Sequence, residues 1–71
     1  MFAERLKNLR KERGYTQKQV AEGANIVEGL YQVYEYGQKK PGHENLIALA
    51  DFFEVSTDYL LGCTDDPRRY R

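Results

Sequence analysis

The chain has 71 residues and a single cysteine, and its 11 basic and 11 acidic side chains cancel near neutral pH. A chain of this length forms one small domain, and one cysteine excludes an internal disulfide bond. No apolar run approaches the roughly 18 residues of a membrane-spanning helix, and the charged start MFAERLKNLRKERG lacks an export signal. We therefore expect a cytoplasmic protein without membrane contact.

The charged residues are unevenly distributed along the chain. Residues 1–18 hold six basic and two acidic side chains, residues 19–38 hold three acidic and no basic ones, and residues 41–66 hold six acidic and no basic ones. Lys39 and Lys40 lie between the last two segments. Because basic patches rather than total charge attract phosphate, this pattern permits a nucleic-acid partner. The alternative is that the basic residues only occupy solvent-exposed helix faces and bind no partner.

The first helix is predicted from an apolar stripe near the start of the chain. Phe2, Leu6 and Leu9 are spaced by four and three residues, which places them on one face of a helix. Gly14 follows, at a position where a helix can end in left-handed backbone.

The second helix is predicted from a capping box. Thr16 is a good N-cap, and Gln19 stands three residues later as its partner. Asn25 suits the left-handed turn that follows. The inward face consists of Val20, Ala21 and Ala24.

A third helix is expected over residues 27–36, with Gly37 as its terminator. Its start is poorly capped because Val27 has no side-chain acceptor. Three residues of this region face inward: Ile26, Tyr31 and Tyr34.

Two more helices complete the predicted domain. Pro41 precedes the fourth helix, and Ser56 caps a short fifth one that ends at Gly62. The inward face of the fourth helix consists of Leu46, Leu49, Ala50 and Phe53. The prediction is an all-α five-helix domain over residues 1–62 with a frayed polar tail at residues 63–71.

The stretch TQKQVAEGANIVEGLYQVYEYG, residues 16–37, has the spacing of two helices that cross over a tight turn. A small residue, Ala21, stands where the two helices touch. Together with its flanks RLKNLRKERGY and YGQKKPGHENLIALADFF, this stretch resembles the Cro and phage-repressor type of helix-turn-helix domain, the XRE family. The resemblance covers residues 2–62. It implies a five-helix fold that binds double-stranded DNA, with the third helix in the major groove.

The resemblance also implies roles for individual residues. Glu28, Gly29 and Val33 stand where the family contacts bases, whereas Gln17 and Tyr36 stand where it contacts phosphates. The full expected DNA-contact set is Gln17, Lys18, Val27, Glu28, Gly29, Leu30, Gln32, Val33, Tyr36, Lys39 and Lys40. Arg10 and Glu35 match a partly buried structural ion pair of the family, the alternative being two unrelated surface charges.

The expected reading face departs from the family pattern. Lys, Arg, Gln or Asn is common at positions where this chain has Glu28, Gly29 and Val33. A glutamate can accept from cytosine but repels phosphate, and a valine can only touch a thymine methyl group. Gly29 is expected to weaken the third helix, and Gly23 the second.

These features predict a transcriptional regulator, by resemblance a repressor, that binds DNA as a homodimer through residues 53–61. The alternative is a protein-interaction module that uses an exposed apolar face of Val27, Leu30 and Val33, or a variant whose operator binding is weak or lost. With one histidine, one cysteine and no catalytic set in view, we expect no enzyme activity, no cofactor and no metal site.

Overall fold

Five helices in succession form the part of the chain that the structure describes. The structure is a computed structural model and describes residues 2–68. No helix among these residues is long and apolar enough to cross a membrane, and they contain no β-strand. The predicted all-α architecture is therefore confirmed. The helices are α1 (Phe2–Glu12), α2 (Gln17–Gly23), α3 (Glu28–Glu35), α4 (His43–Phe53) and α5 (Thr57–Leu61).

The core lies where these helices meet. Helix α1 packs against α3 and α5, while α2 packs against α3 and α4. The apolar stripe predicted for α1 and the inward face predicted for α2 are both buried. Burying one large apolar side chain contributes roughly 1.5–3 kcal/mol. The largest side chains with almost no exposure are Leu6, Val20, Tyr31, Leu49, Phe53, Val55 and Leu60.

The entry to α2 and the turn after it have the predicted geometry. The Gln19 N–H donates to Thr16 Oγ1 at 3.0 Å, and the Thr16 N–H donates to Gln19 Oε1 at 2.8 Å, which completes the capping box. Asn25 adopts left-handed backbone with φ at 59°. The Ile26 N–H then donates to the Ala21 carbonyl at 2.8 Å. The chain thus reverses within a few residues and starts α3.

The glycine at the end of α2 is required by packing. A Cβ atom at Gly23 would overlap the ring of Phe52 on α4. Glycine at this position lets α2 and α4 approach closely, a role that the sequence did not indicate beside the expected weakening of the helix. This close contact is between helices that are distant in the sequence, so no local sequence pattern predicts it.

The segment after α5 folds back onto the domain. The Arg5 Nη2 atom on α1 donates to Asp65 Oδ1 at 3.1 Å. The Ser56 N–H donates to the Pro67 carbonyl at 3.1 Å. The predicted tail comprises residues 63–71 and was expected to be frayed, but hydrogen bonds hold Asp65 and Pro67 of it. The last three residues of that tail lie outside the described part of the chain.

Candidate nucleic-acid interface

Helix α3 buries one side and exposes the other. Tyr31 and Tyr34 are buried, as the sequence predicts. At the two ends of the helix, the N-cap Val27 is 76% exposed and the C-cap Tyr36 is 65% exposed. Four of the expected DNA-contact residues of α3 and its caps are thus open to solvent: Val27, Glu28, Gly29 and Tyr36.

The other expected contact residues of α3 are only half-exposed. Leu30 packs against the core, and Gln32 and Val33 are of intermediate burial. The continuous apolar face expected from Val27, Leu30 and Val33 is therefore smaller than the sequence predicts. The spacing of apolar residues along α3 could not reveal this, because residues at the border between its buried and exposed faces also pack partly against the core.

The start of α3 is exposed to solvent and has no side-chain cap. The Val27 side chain makes no capping hydrogen bond, in agreement with its lack of an acceptor. A Cβ atom at Gly29 would meet no heavy atom within 4 Å. Unlike Gly23, Gly29 is therefore not required by packing among the described residues. It leaves the helix backbone accessible from outside.

Amide and basic residues flank α3 along the chain. Gln17 and Lys18 begin α2, which packs against α3, while Lys39 and Lys40 follow the end of α3. The three lysines are exposed, and Gln17 is half-buried. The start of α2 with Lys18 thus lies on an element that packs against α3, and Lys39 and Lys40 lie just after the end of α3.

Two arginines of α1, and Arg13 just after it, serve the fold. Arg13 Nη1 donates to the Phe53 carbonyl at the end of α4 at 3.0 Å, a contact that satisfies a carbonyl group left free by the helix end. Arg5 reaches the tail, and Arg10 reaches α3. Much of the positive charge counted in this part of the sequence is thus engaged within the domain. Any general attraction of α1 for phosphate depends on its exposed lysines.

The carboxylate of Glu35 accepts four hydrogen bonds. Its Oε2 atom accepts from Arg10 Nε at 2.6 Å and from the Tyr31 hydroxyl at 2.6 Å. Its Oε1 atom accepts from Arg10 Nη2 at 3.1 Å and from Gln17 Nε2 at 3.1 Å. The Glu35 side chain is 1% exposed and that of Arg10 13%. The predicted ion pair is therefore present and buried, and it ties α1, α2 and α3 together.

The protonation states of this cluster follow from its hydrogen bonds. Burial by itself would raise the pKa of Glu35, but hydrogen bonds from Arg10, Tyr31 and Gln17 outweigh it and hold the pKa below the ordinary value of 4.5. Burial, aided by the hydrogen bond to Glu35, raises the pKa of the Tyr31 phenol. At neutral pH Glu35 is a charged acceptor and Tyr31 a protonated donor.

Two members of this cluster have roles that the sequence did not indicate. The sequence predicts Tyr31 only as a core residue and Gln17 only as a phosphate contact. Tyr31 and Glu35 stand four residues apart on α3, a spacing at which side chains meet, so their contact had a local signal. The contact between Gln17 and Glu35 joins two helices and had none.

The region expected to form a dimer contact is largely occupied by the domain's own core. Phe53, Val55 and Leu60 are at most 1% exposed, whereas Leu61 is 44% exposed. Among the apolar residues of 53–61 named here, only Leu61, on the exposed side of α5, is open to solvent, and the expected dimer contact over this region stays a prediction. Leu61 borders a surface cleft of about 380 Å³, which is also lined by Phe2, Lys40 and Pro41.

The described residues show no metal-binding cluster. Across residues 2–68, no group of three or more His, Cys, Asp or Glu side chains lies close enough to hold a metal ion.

The chain is similar in sequence to proteins that are named as transcriptional regulators. The chain is 45% identical over 67 residues to the HTH-type transcriptional regulator YobD of Bacillus subtilis, a match that covers 94% of this chain and 60% of that protein. It is 44% identical over 59 residues to the cryptic phage CTXphi transcriptional repressor RstR of Vibrio cholerae, covering 83% of this chain and 53% of that protein. The chain thus spans little more than half the length of these relatives.

The solved structure of the P22 c2 repressor in complex with a synthetic operator superposes with a TM-score of 0.81. The two chains are 27% identical, and the match covers 84% of this chain and 91% of that one. The five helices and the exposed face of α3 define an all-α helix-turn-helix domain of the phage-repressor type. A model of the helix-turn-helix domain family matches residues 3–64, and the chain belongs to that family, as its resemblance to Cro and phage repressors implies.

Proposed function

We propose that this protein is a cytoplasmic transcriptional regulator, most simply a repressor, that binds double-stranded DNA in a sequence-dependent manner. The observation that carries the proposal is the open outer face of α3 in a fold that matches a repressor solved on operator DNA. An α-helix with its side chains is about 10–12 Å in diameter, which suits a major groove about 12 Å wide.

Base contacts are assigned to the outer face of α3. Val27, Glu28 and Gly29 begin the helix, and Val33 lies one turn further along. Val33 offers a methyl contact to thymine, and Glu28 offers an acceptor to the cytosine amino group. Leu30, Gln32 and Val33 are all half-buried, so their contacts are assigned to the edge of this face. Discrimination between sequences then depends more on shape and methyl groups than on paired hydrogen bonds.

Phosphate contacts are assigned to the flanks of α3. The start of α2 presents backbone N–H groups, which suit an anion, and Gln17 and Lys18 stand there. Tyr36, Lys39 and Lys40 follow at the other end of α3 and are exposed. These contacts supply affinity without regard to sequence and set the position of α3 in the groove.

A homodimer is proposed because one short helix reads only a few base pairs. Two copies related by a two-fold axis would read two half-sites about one turn of DNA apart. The surface that supports this arrangement is the cleft beside Leu61 and Pro41. Lys40 lines this cleft and is also one of the proposed phosphate contacts. A second copy of the chain bound in the cleft would therefore lie next to the DNA that the first copy binds.

A protein partner at α3 is the second candidate, and the structure weakens its motivation. Of the three apolar residues expected to form that face, Val27 is extensively exposed, whereas Leu30 and Val33 are half-buried. No catalytic role is proposed for any residue.

The test is a selection of random DNA duplexes at low salt, followed by titration of the best sequence as salt is increased. We expect enrichment of a two-part site and a steep fall of affinity with salt, since phosphate contacts release counterions. No enrichment, together with capture of a protein by α3 that is insensitive to salt, would favour the second candidate.

A further inference from the structure

We propose that Glu35 is a positioning residue for DNA binding, because it holds the carboxamide of Gln17 in place before any DNA is bound. This inference rests on the proposed function and deepens it. It assigns to Glu35 a role in binding that goes beyond linking helices.

The two oxygens of Glu35 have separate partners. Oε2 accepts the two shortest hydrogen bonds, from Arg10 Nε and the Tyr31 hydroxyl, both at 2.6 Å. Oε1 accepts from Arg10 Nη2 and Gln17 Nε2, both at 3.1 Å. The Oε2 side therefore fixes the carboxylate between α1 and α3, and the Oε1 side presents an acceptor to the start of α2.

The chemistry of the carboxylate determines which end of Gln17 faces it. An ionised carboxylate only accepts hydrogen bonds, so the amide nitrogen of Gln17 must point towards Glu35, and the amide oxygen must point elsewhere. The amide nitrogen carries two protons. One is used by Glu35, and the other remains available to an external acceptor such as a phosphate oxygen.

The position of Gln17 makes this orientation useful. Gln17 is the first residue of α2, where backbone N–H groups lack partners within the helix. A phosphate beside this side chain would meet the remaining amide proton of Gln17. Because the half-buried side chain is already held by Glu35, DNA binding does not have to order it, and preorganisation of this kind raises affinity.

A double-mutant cycle tests the coupling. Wild type, Gln17→Ala, Glu35→Gln and the double variant are titrated with one duplex, well below their unfolding temperatures. In Glu35→Gln the single remaining acceptor stays with Arg10 and Tyr31, since these make the shortest bonds, and Gln17 faces an amide nitrogen. We expect Gln17→Ala to weaken binding about tenfold, the scale of one hydrogen bond to a charged group.

The cycle separates positioning from a purely structural role. Under the proposal, Glu35→Gln weakens DNA binding severalfold in the wild-type background but has little effect once Gln17→Ala is present. Equal losses of affinity in both backgrounds would show that Glu35 acts only through the fold, and no loss in the wild-type background would also overturn the proposal.

Tyr31→Phe is the matched control. It removes a hydrogen bond to Oε2 and leaves the Oε1 partners of Glu35 in place. We expect it to lower thermal stability but leave DNA affinity within about twofold of wild type. A change of that size is no larger than the usual deviation from additivity between independent sites. A loss of affinity as large as that of Glu35→Gln would attribute both effects to destabilisation.

A measurement on the free wild-type protein remains decisive if Glu35→Gln does not fold. Side-chain NMR relaxation should show the Gln17 carboxamide ordered without DNA, in contrast to the exposed Gln38. Equal mobility of the two side chains in a protein that binds DNA would overturn only the positioning role. Absence of duplex binding by wild type would overturn the proposed function, and with it the role of Glu35 in binding.

Discussion

The ring of Phe52 lies so close to Gly23 that its edge occupies the space of a Cβ atom there. Tyr15 and Phe53 both contact the same ring, and each ring centroid lies 5.1 Å from that of Phe52. Because two aromatic neighbours hold the ring, it cannot easily move aside. Helices α2 and α4 thus meet at a point where a glycine is needed.

Gly23→Ala should destabilise the fold although alanine is the better helix former. Higher helix propensity favours the variant by up to about 1 kcal/mol, but overpacking costs about 1–3 kcal/mol. We expect the free energy of unfolding in urea to fall by roughly 1 kcal/mol on balance. A rise would mean that Phe52 moves aside without cost.

Gly29→Ala should have the opposite effect on stability and serves as the matched control. Open space surrounds the position, so the free energy of unfolding should rise by about 0.5–1 kcal/mol. The added methyl group lies on the face assigned to bases, so affinity for the selected operator should fall in the same variant. Unchanged operator affinity, measured by titration, would exclude close approach of DNA to this turn of α3.

The buried ion pair should make stability depend on pH in acid. The folded-state pKa of Glu35 is lowered, so its contribution is fully present above the ordinary pKa of 4.5 and is lost as pH falls through the lower folded pKa. Urea unfolding of wild type should therefore show a fall in stability below pH 4.5 that is shallower in Glu35→Gln. The exposed Glu12→Gln is the control, and a fall of the same slope in all three proteins would contradict the assignment.

Glu35→Ala should be more damaging at neutral pH. It leaves Arg10 largely buried without its partner, and breaking a buried pair typically costs about 3–5 kcal/mol. Arg10 retains some solvent contact and a hydrogen bond to the Tyr15 carbonyl at 3.0 Å, so we expect a loss of roughly 2–3 kcal/mol in urea unfolding. A loss under about 1 kcal/mol would place the pair among surface salt bridges.

Glu28→Gln should raise affinity for DNA. The change removes a negative charge from the exposed start of α3 and adds an amide that can pair with adenine. Glu12→Gln, which removes the same charge at the end of α1, should change affinity less. Titration of both variants against the selected operator tests this, and tighter binding by wild type would reveal a productive contact between Glu28 and cytosine.

The two lysines after α3 should supply affinity without specificity. Changing Lys39 and Lys40 together to alanine should weaken binding to all duplexes alike and reduce the slope of log affinity against log salt by roughly two. Changing Lys7 and Lys11 on α1 together is the control for net charge. A change in sequence preference upon loss of Lys39 and Lys40 would assign them to base readout.

The sequence predicts this fold well because its signals are local. The capping box of Thr16 and Gln19, the left-handed Asn25 and the terminating glycines each depend on neighbours within a few residues. Each stands in the structure where the sequence places it. The ion pair of Arg10 and Glu35 joins distant residues and was predicted only through resemblance to a family.

What the sequence did not reveal depends on packing between helices. The overlap of Gly23 with Phe52, and the half-burial of Leu30 and Val33, follow from how closely neighbouring elements approach. The extent of the candidate reading face and of any dimer surface could therefore be judged only from the structure. Leu61 shows this, since it is exposed directly beside the buried Leu60.

The hydrogen bonds of the Glu35 cluster and those of the tail differ greatly in the length of chain that they close. Partners of Glu35 are at most 25 positions away, whereas Arg5 reaches partners 59 and 60 positions away. Short closures cost less chain entropy and form earlier during folding. We therefore expect the first three helices to assemble in the folding transition state and the tail to dock last. Substitutions at Arg5 should accelerate unfolding while leaving the folding rate almost unchanged.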